Sequence, residues 1–76
     1  MSNSDRALKV LIDVLGCEPN DVGEDTTLAD LGMDSLDATE LVMESEVEFD
    51  IKITDDDFNN VVTIGDFLKL VESKVK

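Results

Sequence analysis

The stretch from residue 28 to residue 49, LADLGMDSLDATELVMESEVEF, decides the fold of this chain. Glycine and polar residues interrupt its first part, whereas no Gly or Pro occurs between Ser35 and Phe49. Leu, Met, Glu and Ala, which are good helix formers, make up much of that second part. We therefore predict a helix from Leu36 to about Phe49, with Ser35 or Asp34 as its N-cap.

Successive residues of a helix lie about 100° apart, and this spacing gives the predicted helix two apolar zones. The broad zone has Ser45 at its centre and comprises Ala38, Leu41, Val42 and Phe49. A narrow strip on roughly the opposite side comprises Leu36, Met43 and Val47. Acids fill one flank between the two zones: Asp37, Glu40, Glu44 and Glu48. Because one core can cover only one zone in full, we predict that the narrow strip is at least partly exposed.

Segments with helical signals lie on both sides of this stretch. Apolar residues from Leu8 to Leu15 recur at the i, i+3, i+4, i+7 spacing, which predicts a helix beginning at about Asp5. Ser4 is its expected N-cap, and Gly16 is expected just after its end. We predict a long loop between that glycine and the central helix.

The sequence Thr-X-X-Asp occurs twice after residue 50, beginning at Thr54 and at Thr63. This spacing is that of a capping box, with Asp in place of the usual Glu. The two predicted helices run to about Asn60 and to about Lys74. The sequence therefore predicts an all-α fold with three main helices and one short helix, in a single domain over residues 1–76.

The chain is strongly acidic, and its charge is unevenly distributed. Its 76 residues include 19 Asp and Glu and only 6 Lys and Arg, for a net charge of −13. Between Glu18 and Asp57 there are 15 acids and a single base, Lys52. Such a block disfavours nucleic acids and anionic lipid surfaces as direct partners, and it favours a partner with a basic surface.

Cysteine and hydropathy suggest the compartment. Cys17 is the only cysteine and histidine is absent, so neither a disulfide nor a zinc site can stabilise this small domain, which favours a reducing environment. The longest apolar run, Val10 to Ile12, is far too short to cross a bilayer, and the first residues lack a signal-peptide pattern. We expect a cytoplasmic monomer that does not insert into membranes.

Candidate catalytic groups are few. Without His or Tyr there is no Ser-His or Cys-His pair, and the glycines form neither a dinucleotide-binding motif nor a P-loop. The acids at residues 55–57 lack the spacing of a calcium loop, so no metal site is predicted. Ser35 is the informative residue, because a phosphate on its hydroxyl would lie against free backbone N–H groups at a helix start. These observations disfavour an enzyme and leave Ser35 as either a modification site or a simple cap.

Residues 28–37, LADLGMDSLD, resemble the phosphopantetheine attachment motif of acyl carrier proteins, and the resemblance continues through residues 40–43 and 48–50. It implies a four-helix bundle whose Ser35 receives 4′-phosphopantetheine from coenzyme A through a phosphopantetheinyl transferase. The protein would then carry acyl groups as thioesters, most similarly to the carriers of fatty-acid synthesis. The residues expected at the cofactor are Ser35, Asp34 and Leu36.

The resemblance also assigns roles along the central helix. Residues expected to meet basic patches on fatty-acid-synthesis or other acyl-transfer enzymes are Asp34, Leu36, Asp37, Glu40, Met43, Glu44 and Val47. Candidates for lining an acyl cavity are Ala38, Leu41, Val42, Ser45, Ile53 and Phe58.

Two residues depart from the family pattern. Val47 stands where an acid is frequent, which extends the apolar strip at the expense of charge. Ser45 stands where an apolar residue is usual on the cavity side. Its hydroxyl either bonds to the carbonyl of Leu41 or makes the cavity smaller or more polar. We therefore expect the cargo to be short, polar or specialised.

Other functions are consistent with the same residues. Within the same chemistry these are a polyketide carrier and an aminoacyl or peptidyl carrier, although Asp37 after Leu36 and the high acidity favour the fatty-acid type. An acidic protein-binding module without a cofactor, such as an inhibitor or a nucleic-acid mimic, would use the same acidic block.

Overall fold

The computed structural model of the chain describes residues 2–18, 20 and 22–75, most of which lie in four α-helices. These helices are α1 (Asn3–Leu15), α2 (Ser35–Phe49), α3 (Asp55–Asn59) and α4 (Ile64–Val75). A 3-10 turn at Ala29–Leu31 precedes α2. The predicted all-α fold with three main helices and one short helix is confirmed. Across these described ranges, no helix is long and apolar enough to cross a membrane.

The core is formed mainly by one apolar stripe of α1 and one of α4, with single residues from α2 and from the long loop. Its buried apolar residues are Ala7, Val10 and Leu11 of α1, Ile64, Phe67 and Val71 of α4, Leu41 of α2, and Leu28 of the long loop. Helix α2 buries only Leu41 and Ser45 fully. Much of the surface of α2 therefore remains free for contacts with other molecules.

The ends of α1 are set by local hydrogen bonds. The Oγ of Ser2 accepts a hydrogen bond from the backbone N–H of Asp5 at 3.1 Å, so Ser2 is the N-cap. The predicted cap, Ser4, is wrong, because this bond starts the helix earlier and places Ser4 inside its first turn. Gly16 ends the helix as predicted, in a left-handed conformation with φ of 69°, and its N–H donates to the carbonyl of Ile12.

Both predicted Thr-X-X-Asp boxes are formed. The Oγ1 of Thr54 accepts the N–H of Asp57 at 3.1 Å, and the Asp57 carboxylate accepts the N–H of Thr54 at 3.2 Å. Thr63 and Asp66 make the same two bonds at 3.1 and 3.2 Å. Each pair satisfies backbone N–H groups that a helix start leaves without carbonyl partners.

The last turn of α2 holds the segment that leads to α3. Helix α2 ends at Phe49 and is followed by its C-cap, Asp50, whose φ of 53° is left-handed and whose N–H donates to the carbonyl of Glu46. The Glu46 carboxylate accepts a hydrogen bond from the N–H of Ile53 at 2.8 Å. Glu46 therefore fixes the segment between the helices, and the side chain of Ile53 is buried.

The long loop before α2 is attached to the start of α4. Thr27 and Thr63 form an isolated antiparallel bridge, and the N–H of Leu28 donates to the carbonyl of Val62 at 3.0 Å. The N–H of Gly65 donates to the carbonyl of residue 24 at 3.0 Å, and a Cβ on Gly65 would lie only 3.1 Å from that carbonyl oxygen. This close approach of two backbones explains a glycine in the first turn of α4.

Candidate functional site

Ser35 is the first residue of α2, and its side chain is exposed. The residue before it, Asp34, is the N-cap of the helix, because its Oδ1 accepts the N–H of Asp37 at 2.8 Å. The Asp37 carboxylate accepts the N–H of Asp34 at 3.3 Å and completes a capping box. Of the two caps that the sequence allowed, the structure therefore assigns Asp34, and capping does not require the Ser35 hydroxyl.

The start of α2 is suited to a phosphate ester. The N–H groups of Ser35 and Leu36 lie in the first turn, where helical geometry provides no carbonyl partner. These groups and the positive end of the helix dipole stabilise a negative charge beside Ser35. The nearby carboxylates of Asp34 and Asp37 are engaged with backbone N–H groups in the capping box. The residues present thus fit a phosphate on the Ser35 hydroxyl.

An open groove of about 470 Å³ lies between α2 and α3, with Ser35 in its lining. Its lining residues are Ser35, Ala38, Thr39, Val42 and Met43 of α2, and Asp55, Phe58 and Asn59 of α3. Apolar and polar side chains both contribute. An alkyl chain attached near Ser35 could bury part of its surface here, which is favourable in proportion to the apolar area removed from water.

Only some of the six residues predicted to line an acyl cavity line the groove between α2 and α3. Three of them line the groove: Ala38, Val42 and Phe58. Leu41 instead belongs to the main core. Ser45 and Ile53 are buried but do not line the groove.

Ser45 is fully buried, with 0% of its surface exposed. Within the described part of the chain, its Oγ has no hydrogen-bond partner. The bond to the carbonyl of Leu41, one of the two alternatives from the sequence, is therefore not formed. A buried polar group without a partner costs about 1–3 kcal/mol of stability. The buried side of α2 thus contains a hydroxyl that can still donate and accept a hydrogen bond.

The narrow apolar strip of α2 is exposed, as the sequence predicted. The exposed fractions are 71% for Leu36, 58% for Met43 and 82% for Val47. Met43 also lines the groove, so the strip and the groove share an edge. Large apolar side chains this exposed on a small protein mark a surface suited to contact with another molecule.

One acid on the acidic flank of α2 forms an ion pair with α1, whereas two others do not. Glu48 is paired with Arg6, at 2.9 Å between Oε2 and Nε. Glu40 and Glu44 lie along the same surface and are exposed, and neither forms an ion pair of 4 Å or less with the described residues. Of the acids on the helix surface, these two are the most available for a basic partner.

Three groove residues were not predicted from the sequence: Thr39, Asp55 and Asn59. The hydroxyl of Thr39 donates to the carbonyl of Ser35 at 3.1 Å. Its position four residues after Ser35 on a predicted helix was a usable signal. Asp55 and Asn59 could not be found in this way, because they reach the groove only through the packing of α3.

The model of a protein family described as the phosphopantetheine attachment site matches residues 5–71. This match covers most of the chain and includes α2 with the whole groove. The chain therefore belongs to the family of phosphopantetheine-binding carriers, which includes acyl carrier proteins. Members of this family carry a covalently attached 4′-phosphopantetheine and are not themselves catalysts. Membership favours a carrier over an acidic binding module that lacks a cofactor.

Proposed function

We propose that this protein is an acyl carrier protein of the fatty-acid-synthesis type, with 4′-phosphopantetheine attached to the hydroxyl of Ser35. The observation that carries this proposal is the position of Ser35, which is exposed at the start of α2, not required for capping, and in the lining of the groove. The group supplies a thiol on which an acyl chain is held as a thioester.

The residues around Ser35 have separate parts in this function. The capping box of Asp34 and Asp37 holds the first turn of α2 in place, so the N–H groups of Ser35 and Leu36 are positioned to stabilise the phosphate charge. The apolar side chains of the groove shelter part of an acyl chain. The protein therefore binds the acyl chain, positions it and presents it to partner enzymes, which catalyse the reactions.

A mass measurement tests the attachment. The protein is incubated with coenzyme A and a phosphopantetheinyl transferase of broad specificity, and its mass is then recorded. We expect the wild type to gain one phosphopantetheine group and a Ser35→Ala variant to gain none. A Ser73→Ala variant is the matched control, because Ser73 is also an exposed helical serine and its loss should leave modification unchanged. A folded wild type that gains no mass would show that the proposal is wrong.

The exposed surface of α2 is our proposed docking surface for the transferase and for acyl-transfer enzymes. Its acids are Glu40 and Glu44, and its apolar contacts are Leu36, Met43 and Val47. Exposed ion pairs contribute only about 0–1 kcal/mol each, and complementary charge acts mainly on the rate of association. Docking on this surface would be fast, salt-sensitive and short-lived, which suits a carrier that meets several enzymes in turn.

Neutralising the acids tests this docking surface. We expect a Glu40→Gln, Glu44→Gln double variant to be modified by the transferase several-fold more slowly at low salt, with a weaker dependence on salt concentration. The matched control is Glu72→Gln, an exposed acid on α4. Equal effects of the double variant and the control would contradict the assignment of this surface.

The fatty-acid type is supported by the high acidity of the chain and by Asp37 after Leu36. It is tested by offering the holo-protein to two loading enzymes. We expect a malonyl transferase of fatty-acid synthesis to load malonate, and an amino-acid-activating domain to load nothing. The opposite result would favour an aminoacyl or peptidyl carrier.

A further inference from the structure

Ser45 has a property that the carrier function alone does not explain. Its side chain is completely buried, and its Oγ has no partner among the residues that the structure describes. It lies on the same face of α2 as Ala38 and Val42, two residues that line the groove. In an α-helix, the three-residue step from Val42 to Ser45 advances about 4.5 Å along the axis. Ser45 therefore follows the groove-lining residues of α2 by less than one helical turn, on the helix face that Ala38 and Val42 share.

The two sides of the groove are not joined by polar contacts. Among the described residues, no hydrogen bond or ion pair connects α2 with α3. Helix α3 is instead attached to α4, since Asp57 Oδ2 lies 2.8 Å from Nζ of Lys74. A chain that enters between α2 and α3 could thus extend along α2 toward Ser45 without breaking a polar bond across the groove.

We propose that Ser45 determines cargo specificity, by favouring acyl chains that carry a hydroxyl or carbonyl oxygen over saturated chains of the same length. A serine hydroxyl can donate to a carbonyl oxygen and can either donate to or accept from a hydroxyl. A saturated chain next to Ser45 leaves this group without a partner, whereas an oxygenated chain supplies one. This inference rests on the proposed function, because it requires cargo attached through Ser35.

The experiment compares cargo protection in matched proteins. Holo-protein is loaded with octanoyl, or with octanoyl bearing a hydroxyl at C3, C5 or C7. The rate at which hydroxylamine cleaves each thioester on the protein is measured at fixed pH. The protection factor is the cleavage rate of the same thioester on free pantetheine divided by its rate on the protein. Because both rates refer to the same thioester, the protection factor is corrected for differences in intrinsic reactivity between the cargoes. The proteins are the wild type, Ser45→Ala, and the control Ser73→Ala.

In the wild type we expect at least one hydroxylated chain to be protected about two- to tenfold better than octanoyl, the range of a single neutral hydrogen bond. Ser45→Ala should bring this ratio close to one, mainly by removing the extra protection of the hydroxylated chain, and Ser73→Ala should retain the wild-type ratio. The change in this ratio between the wild type and Ser45→Ala measures the coupling between one hydroxyl on the cargo and one on the protein. The position of the favoured hydroxyl also reports how far along the chain Ser45 lies.

Two results would overturn the inference: a wild-type ratio near one for every hydroxylated chain, or the same ratio in Ser45→Ala as in the wild type. A wild-type ratio near one overturns the inference even if the variant folds poorly. Mass spectrometry before loading distinguishes this outcome from failure of the proposed function. If the proposed function is wrong, the protein carries no phosphopantetheine. A protein that loads normally but lacks the preference refutes only the role of Ser45.

Discussion

Arg6 donates hydrogen bonds to both the carboxylate and the backbone carbonyl of Glu48, at 2.9 and 2.8 Å. Its guanidinium carbon also lies 4.7 Å from the centre of the Phe49 ring. The cation therefore meets the last turn of α2, where carbonyls lack helical partners and the helix dipole is negative. One side chain thus joins the first turns of α1 to the end of the helix that begins at Ser35.

Replacing Arg6 by Lys should lower the free energy of unfolding by about 1 kcal/mol. An ammonium group keeps the charge but cannot make both hydrogen bonds while lying flat over the ring of Phe49. The effect is small because both partners are partly exposed. Urea unfolding measures it, with Lys9→Arg as a control that changes the other base of α1. An Arg6→Lys variant as stable as the wild type would mean that this contact contributes nothing.

Replacing Gly65 by Ala should destabilise the protein by about 1 kcal/mol, although Ala is the better helix former. The new Cβ would lie 3.1 Å from the carbonyl oxygen of Glu24, and this carbonyl cannot easily withdraw because it accepts the N–H of Gly65. Thermal unfolding of Gly65→Ala measures the effect. Gly23→Ala is the matched control, since its Cβ would meet only the hydroxyl of Thr26, at 3.4 Å. Greater stability of Gly65→Ala would show that the loop adjusts.

Stability should fall in acid partly through Asp57 and Asp66. The hydrogen bond from Lys74, followed by those from Thr54, lowers the pKa of Asp57. Backbone hydrogen bonds from Thr63 and residue 62 lower the pKa of Asp66. A carboxylate whose pKa is lowered by folding stabilises the native state fully above its unfolded pKa of about 3.9. That contribution is lost as the pH falls through the lower folded pKa.

Urea unfolding between pH 2 and 7 tests these two carboxylates. Asp57→Asn and Asp66→Asn should each be less stable than the wild type at neutral pH, and the difference should shrink below about pH 4. NMR titration of the two carboxyl groups provides an independent check. A stability difference that stays constant over the whole pH range would rule out the linkage.

Salt should stabilise the protein, because most acids in the part of the chain that the structure describes form no ion pair. Within the described ranges, only two ion pairs of 4 Å or less occur, Arg6–Glu48 and Lys74–Asp57, against a net charge of −13. At 0.1 M salt the screening length is about 10 Å, so repulsion among exposed acids weakens. We expect the melting temperature to rise with NaCl, and to rise less steeply in Glu44→Gln. A melting temperature insensitive to salt would show that this repulsion is minor.

Local interactions explain why much of the fold was predictable. The boxes at Thr54 and Thr63 act within three residues, and the helix after Ser35 follows from composition and the absence of Gly and Pro. Local rules did not locate the N-cap of α1, because Ser2 and Ser4 both satisfy them. Only the hydrogen bond from the N–H of Asp5 to the Oγ of Ser2 distinguishes the two residues. The sequence also indicated Ser35 as the residue of interest, through a motif that requires no knowledge of packing.

By itself, then, the sequence determined the helices, the acidic block, the exposed strip and the importance of Ser35. Tertiary structure alone decided that Asp55 and Asn59 face Ser35 across a groove, and that Gly65 touches the long loop. It also decided that the hydroxyl of Ser45 is buried without a hydrogen-bond partner among the described residues. Each of these depends on groups distant in the chain, whose separation is set by how the helices pack and not by spacing within a helix.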